Sequence, residues 1–245
     1  MPRFFIPNTQ ISETVAVISG RDAEHIKVLR MKLGEPLVVC DGDGTDYHCQ
    51  LSRFGDGFAE AEIVQKISSP AEPSVQITIF CAFYKGERPD FTVQKCTELG
   101  AASIVFFPSE RCVSRPDGKS LDKKLTRWQR IAEEAAKQSG RGRIPIIQAV
   151  DNYRAALNMA KGTDLPLFMY ETGNRIAMRD AIRQAGSLTS CAIVTGPEGG
   201  FEPQEAALAV EMGLQCCSMG PRILRCETAP LCGLMAVLYE TGNLD

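Results

Sequence analysis

Two segments in the last fifth of the 245-residue chain combine residue types that chemistry needs. The first is Thr195-Gly-Pro-Glu-Gly-Gly-Phe-Glu-Pro203, where glycines permit close backbone approach to a ligand and Pro203 suits the first turn of a helix. The second, Met219-Gly-Pro-Arg-Ile-Leu-Arg-Cys-Glu-Thr228, sets two arginines and three apolar residues on one connection. Ile223 and Leu224 on a loop ask for something apolar to cover them, and such surface loops bind more often than they merely connect. Other chemistries drop out by inventory. No G-x-S-x-G elbow or P-loop pattern occurs, and Gly196-Pro-Glu-Gly-Gly200 does not fit G-x-G-x-x-G. Only His25 and His48 could serve as histidine bases, and the ten cysteines include no C-x-x-C pair. A zinc site therefore lacks its ligand spacing, no metal is expected, and the cysteines read as free thiols of a reducing cytoplasm.

Charge is concentrated in one place. Between Arg111 and Arg143 stand ten Lys/Arg against four Asp/Glu, so this stretch is strongly positive in a chain whose net charge is −3. Such a strip is either a solvated helix face or the footprint of a polyanion such as RNA. The longest nearly unbroken apolar run, residues 229–239, is too short to span a bilayer. The proline-interrupted start, Met1-Pro-Arg-Phe-Phe-Ile-Pro-Asn8, is not a secretory signal. A cytoplasmic protein without a membrane partner is the expectation.

The elements that must position these loops are legible in outline. Pro36–Cys40, Thr45–Arg53 and Phe58–Ile67 read as strands separated by the turns Asp41-Gly-Asp-Gly44 and Phe54-Gly-Asp-Gly57. The first seventy residues thus read as an all-β barrel. Ser68-Ser-Pro-Ala-Glu-Pro73 is a linker by composition. Beyond it strands are expected at 75–83, 104–107, 146–150, 165–170, 191–195 and 215–219. Helices are expected between them, among them 151–160, 175–185 and 203–212, and Thr228 opens the last. Leu125, Trp128, Ile131, Ala132 and Ala135 recur at helical spacing inside the basic strip. Alternating strands and helices predict an α/β domain with a parallel sheet covered on both faces. Both chemistry-bearing loops follow late strands, where open α/β sheets place ligands.

With Gly196-Pro-Glu-Gly-Gly-Phe201 followed by Gly220-Pro-Arg-Ile-Leu-Arg-Cys-Glu-Thr-Ala229, the chain resembles the RsmE family, the ribosomal small-subunit RNA (uracil N3) methyltransferases. The resemblance extends to Arg3-Phe-Phe5, His25 with Val28-Leu-Arg30, Lys95-Cys-Thr-Glu-Leu-Gly100, Ser109-Glu-Arg111 and Gln138-Ser-Gly-Arg141 with Ile144-Pro145. One departure is Cys226, where the family usually has Thr.

The resemblance implies a PUA-like RNA-binding β-barrel over 1–70 and a SPOUT methyltransferase domain with a trefoil knot over 74–245. It also implies S-adenosylmethionine as cofactor, a homodimer, and one uridine of 16S ribosomal RNA (1498 in the usual numbering) as substrate. A non-catalytic RNA-binding protein of ribosome assembly is the alternative. Carried onto this chain, the cofactor falls to Tyr170, Thr195, Gly196, Glu198, Gly199, Met219, Gly220, Ile223, Leu224 and Arg225. Arg222 or Arg225 would stabilise the negative charge of a uracil that has lost its ring proton. Glu198 and Glu227 are candidates for the group that takes that proton, by proximity in sequence alone. The RNA contacts would be Arg3, Arg30, Arg111, Lys123, Lys124, Arg127, Arg141 and Arg143.

Overall fold

Apolar alternation builds the first of two sheets. The computed structural model describes residues 1–244. In it β1 (Arg3–Phe5), β2 (Val15–Ser19), β3 (Pro36–Cys40), β4 (Thr45–Phe54) and β5 (Phe58–Ser68) pair in the order β1-β3-β4-β5-β2. Only the β1–β3 pairing is parallel. The Asp41 carboxylate accepts from the N–H groups of Asp43 (2.8 Å) and Thr45 (3.1 Å), which folds the β3–β4 turn. Register shifts at His48/Cys49 and Leu51/Arg53 bend the long β4–β5 hairpin. Phe4, Ile18, Leu37, Val39 and Leu51 fill the enclosed side.

This unit is not all-β. Gly20–Val28 forms helix α1, which buries only Ala23 and Ile26. Two core residues in nine are too few to imprint a helical period on the sequence. Arg30 ends the helix with φ +55, the one non-glycine residue at positive φ among those described.

The unit also recruits residues from far along the chain. It comprises 1–72 and 136–144, and the latter segment was expected in the second domain. Glu72 holds it, accepting from Nε (3.2 Å) and Nη2 (2.8 Å) of Arg141 and from the N–H groups of Gly142 and Arg143 (3.0 Å each). A Cβ at Gly142 would lie 2.4 Å from that of Ser69, so only glycine fits there. Arg141 is 2% exposed, and Arg3 donates to both oxygens of buried Asp46 (2.7 and 2.8 Å) and to the Arg141 carbonyl (3.2 Å). Arg3 and Arg141, expected to contact RNA, thus have their guanidinium groups paired inside this unit. A buried charge must be paired, and these two guanidinium groups spend their donors on the fold.

The second unit, 73–135 with the chain from 145, alternates strand and helix. Its elements are β6 (Gln76–Ala82), α2 (Arg88–Glu98), β7 (Ser103–Phe107), α3 (Gly118–Ser139, whose last turn belongs to the first unit), β8 (Ile146–Ala149) and α4 (Tyr153–Ala160). There follow β9 (Leu165–Met169), β10 (Ile176–Ala177), α5 (Met178–Ala185), β11 (Ser190–Thr195), α6 (Pro203–Glu211), β12 (Gln215–Ser218) and α7 (Ala229–Glu240). The short edge strand β10 takes the first residues of a helix expected at 175–185.

The sheet is wholly parallel, in the order β10-β12-β9-β11-β6-β7-β8. Near-continuous burial of β6, β7, β9 and β11 is what a sheet covered on both faces requires. From β6 the chain proceeds outward through β7 and β8, and it then returns to build β9, β11 and β12 on the other side. The order therefore reverses beside β6, and loops leaving strands there border a crevice. Among the described residues all ten cysteines are free, no metal-ligating cluster occurs, and no helix is long and apolar enough to cross a membrane.

Candidate functional site

Loops leaving β9, β11 and β12 enclose a cavity of about 550 Å³. All ten residues expected to hold a cofactor line it, as does Arg222. Arg88, Glu171 and Arg175 line it too and were not foreseen.

The loop after β11 is shaped by its own aromatic anchor. Phe201 is buried, with its ring centroid 4.5 Å from that of Phe168 and 5.9 Å from that of Tyr153. A turn brings it there: Gly200 sits at φ +69 and its N–H donates to the Pro197 carbonyl (3.0 Å). Glu202 then caps α6 in a reciprocal box with Glu205, whose carboxylate accepts the Glu202 N–H (2.9 Å). Glu205 is only 6% exposed and also accepts from the Ser109 hydroxyl (2.8 Å) and the Glu110 N–H (3.0 Å). That ties the segment after β7 to the start of α6. Arg111, next in line, forks onto both Glu202 oxygens (2.7 and 3.0 Å) and reaches the Gly199 carbonyl (3.0 Å). Arg111, expected on RNA, thus pairs with the start of α6 and with the Gly199 carbonyl while its side chain stays partly exposed.

The loop after β12 is the more open wall. Ile223 is 86% exposed and Leu224 half-buried. Arg222 and Arg225 are exposed and have no ion-pair partner among the described residues, which leaves their donors for a ligand. Cys226 behind them is buried, and its thiol donates to Oε2 of Glu227 (3.1 Å). Burial first, then the bond and charge of Glu227, push that thiol up to about 12. Burial raises Glu227, yet its own backbone N–H, the Cys226 thiol and the charges of Arg88 and Arg225 outweigh it and hold the carboxyl below its ordinary range.

Arg88, at the start of α2, joins the two loops. Its Nη1 donates to Oε1 of Glu198 (3.0 Å), and its Nε lies 3.9 Å from Oε1 of Glu227. The Lys85 N–H adds a second bond to the same Glu198 oxygen (2.9 Å). The other oxygen, Oε2, is sealed from solvent without a partner. Of the two carboxylates proposed for the ring proton, Glu198 thus has one occupied oxygen and one sealed one, and Glu227 is held below its ordinary range. Nothing in the sequence pointed to Arg88, which lies 110 residues before Glu198.

The basic strip divides along α3. Trp128, Ala132, Ala135 and Ala136 are buried on one side. At 100° per residue Lys119, Lys123 and Arg130 fall within about 40° of one another on the opposite side, exposed and without ion-pair partners among the described residues. Arg127 turns instead to Asp90, which also accepts from Trp128 Nε1 (2.9 Å), and Lys124 lies over the Trp128 ring (5.8 Å). Arg30 and Arg143 are exposed, the latter donating to the Asp43 carbonyl (3.1 Å).

This geometry can be set beside known proteins. A family model described as an RNA methyltransferase domain matches residues 71–238, and one described as an RNA methyltransferase PUA domain matches 18–64. The Ribosomal RNA small subunit methyltransferase E of Bacillus subtilis is 33% identical over 252 residues, covering 100% of this chain and 98% of its own. The protein of the same name from Mycobacterium bovis is 33% identical, covering 99% and 93%. The crystal structure of Ribosomal RNA small subunit methyltransferase E from Neisseria gonorrhoeae bound to S-adenosyl methionine superposes with a TM-score of 0.84 at 35% identity, covering 98% of this chain and 97% of that one. Similarity of this extent runs through both units and through the cavity loops, and the chain belongs to the ribosomal RNA small subunit methyltransferase E family.

Proposed function

We propose that this protein transfers a methyl group from S-adenosylmethionine to ring nitrogen 3 of a uridine, at position 1498, in 16S ribosomal RNA. The observation that carries the reading is the cavity itself, whose two late loops present backbone, apolar Met219 and Leu224, and two unpaired guanidinium groups together. Its volume of about 550 Å³ lies in the range of small-molecule sites. The residues fit the cofactor: apolar side chains suit a purine, and the Gly196–Gly200 turn brings backbone to the cavity wall. When bound, S-adenosylmethionine supplies an electrophilic methyl group on a sulfonium.

The chain's own residues do the rest by placement. Arg222 and Arg225 face the negative charge that a deprotonated uracil spreads over its carbonyl oxygens. Arg88 pairs with both Glu198 and Glu227 and so offsets part of their negative charge beside those arginines. Fixed loops hold the reacting groups in line, which supplies much of the acceleration for a displacement of this kind. The exposed stripe Lys119, Lys123 and Arg130, with Lys124, Arg30 and Arg143, receives RNA phosphates. A homodimer is supported by exposed apolar surface on α7, where Tyr239 and Met235 remain uncovered. The cytoplasm, where ribosomal subunits are assembled, is the compartment of such a reaction.

The test is in vitro methylation of unmethylated 16S RNA and small subunits, mapped by mass spectrometry, with Arg225→Ala beside the wild type. Arg225→Ala should lower the single-turnover rate far more than cofactor affinity, because the charge it opposes develops in the transition state. Methylation of a ribose oxygen overturns the choice of target atom, whereas no transfer by the wild type to either substrate overturns the reading and leaves a non-catalytic RNA-binding protein.

A further inference from the structure

Arg88 sits among like and unlike charges whose sum has a consequence for ligand choice. Glu198 and Glu227 come from different loops, and one guanidinium serves both. The cluster of two carboxylates and one arginine carries net −1, and without Arg88 it would carry −2. All of Glu198's hydrogen bonding runs through Oε1, to Arg88 and to the Lys85 N–H, while Oε2 is enclosed with none. Among the described residues Arg88 is thus the one charged group bonded to Glu198, and it is itself part of the cavity lining.

Resting on the methyltransferase reading, we infer that Arg88 is a positioning residue that sets how strongly the cavity prefers the methyl donor before transfer to the product after it. The two differ by one charge. In the reaction the ring-nitrogen lone pair forms the N–C bond and the proton of that nitrogen passes to water. The C–S bond breaks with its electron pair left on sulfur, so a sulfonium becomes a neutral thioether. Without Arg88 the cavity would be more negative by one unit and would grip the sulfonium more tightly in the ground state, and that attraction would be given up as the positive charge disappears. Ground-state binding of this kind raises the barrier rather than lowering it. Arg88 tempers it by holding both carboxylates in ion pairs.

The size of the effect follows from the site. A cavity of 550 Å³ is about 8 Å across if taken as a cube. One unit charge acting over about 8–12 Å at an effective dielectric near 20 changes the relative affinity of a cation about ten- to thirtyfold.

Isothermal titration of the full-length protein with S-adenosylmethionine and with S-adenosylhomocysteine measures this directly, without turnover. In Arg88→Gln the ratio Kd(homocysteine form)/Kd(methionine form) should rise about ten- to thirtyfold over the wild type. Arg88→Lys keeps the charge and should hold the ratio within about threefold, even where both affinities fall because the forked contact is lost. Glu227→Gln should move the ratio the opposite way, and Arg88→Gln/Glu227→Gln, restored to net −1, should return it. If Arg88→Gln weakens both ligands equally, Arg88 only braces the loops and the inference fails while the methyltransferase reading stands. Should Arg88→Gln not fold, an unmoved ratio in Glu227→Gln overturns it equally. A wild type that binds neither ligand overturns the reading and the inference together.

Discussion

Glu205→Gln isolates the polar joint behind the cofactor loop, because it changes charge and donor pattern without changing shape. Three donors converge on the Glu205 carboxylate: Ser109 hydroxyl and Glu110 N–H on Oε1, and Glu202 N–H on Oε2. A glutamine has one acceptor oxygen, so at least one buried donor must face an NH2 group. The better arrangement keeps the Oε1 pair and sacrifices the capping-box bond, worth about 0.5–2 kcal/mol. The surviving bonds pass from charged to neutral, each weaker by about 0.5–1 kcal/mol. With no cavity created, the total is about 3 kcal/mol, or about 6–12 °C in melting temperature for a unit of 150–250 residues. Calorimetry reads the shift. Because Ser109 and Glu110 lead directly into Arg111, which grips Glu202 and the Gly199 carbonyl, cofactor affinity should fall in the same variant. A melting point within about 2 °C of the wild type would refute the claim that this carboxylate organises the site.

Two further outcomes are expected. Asp164 accepts from the Thr189 hydroxyl (2.7 Å) and from the N–H groups of Thr189 and Ser190 (2.9 Å each), and these bonds hold its carboxyl at about 2. The folded value lies below the unfolded one of about 3.9, so its stabilising effect is present above about pH 4 and is lost as pH falls toward 2. Asp164→Asn should therefore flatten the melting-temperature curve across that window, and an unchanged acid limb counts against it. On α3, Lys119→Gln/Lys123→Gln/Arg130→Gln removes the exposed stripe and leaves the buried face intact. If all three meet phosphate, the log–log salt slope for RNA binding becomes shallower by about 2–3, and an unaltered slope returns the stripe to a solvated surface.

The second unit was legible because its strands are buried on both faces and so appear as unbroken apolar runs: Ile77, Ile79 and Phe80 in β6, and Cys191 to Val194 in β11. The site loops stood out for a related reason. Gly196–Gly200 and Gly220–Leu224 carry turn-formers and exposed apolar groups directly after such runs, in a topology that gathers strand ends. Helix α1 was illegible, with Ala23 and Ile26 alone to mark it, and so was the transfer of 136–144 to the first unit. That transfer depends on Glu72, whose meaning lies in an arginine 69 positions later.

The basic strip shows why counting charge goes only so far. The sequence presents ten cations between 111 and 143 as equals, yet several of them acquire their role from a distant carboxylate or from the lack of one. Arg111 is taken by Glu202, 91 residues away, Arg127 by Asp90 and Arg141 by Glu72. Lys119, Lys123 and Arg130 have no ion-pair partner among the described residues, α3 turning them away from the apolar stripe that docks it. Arg88 is the inverse case. It lies outside the strip and carries no local signal, but two loops that meet only in the folded sheet give it two carboxylates to serve. Periodicity finds the face a helix buries, whereas which cations remain free for RNA is decided by long-range pairing, such as that of Arg3 with Asp46 and of Arg141 with Glu72.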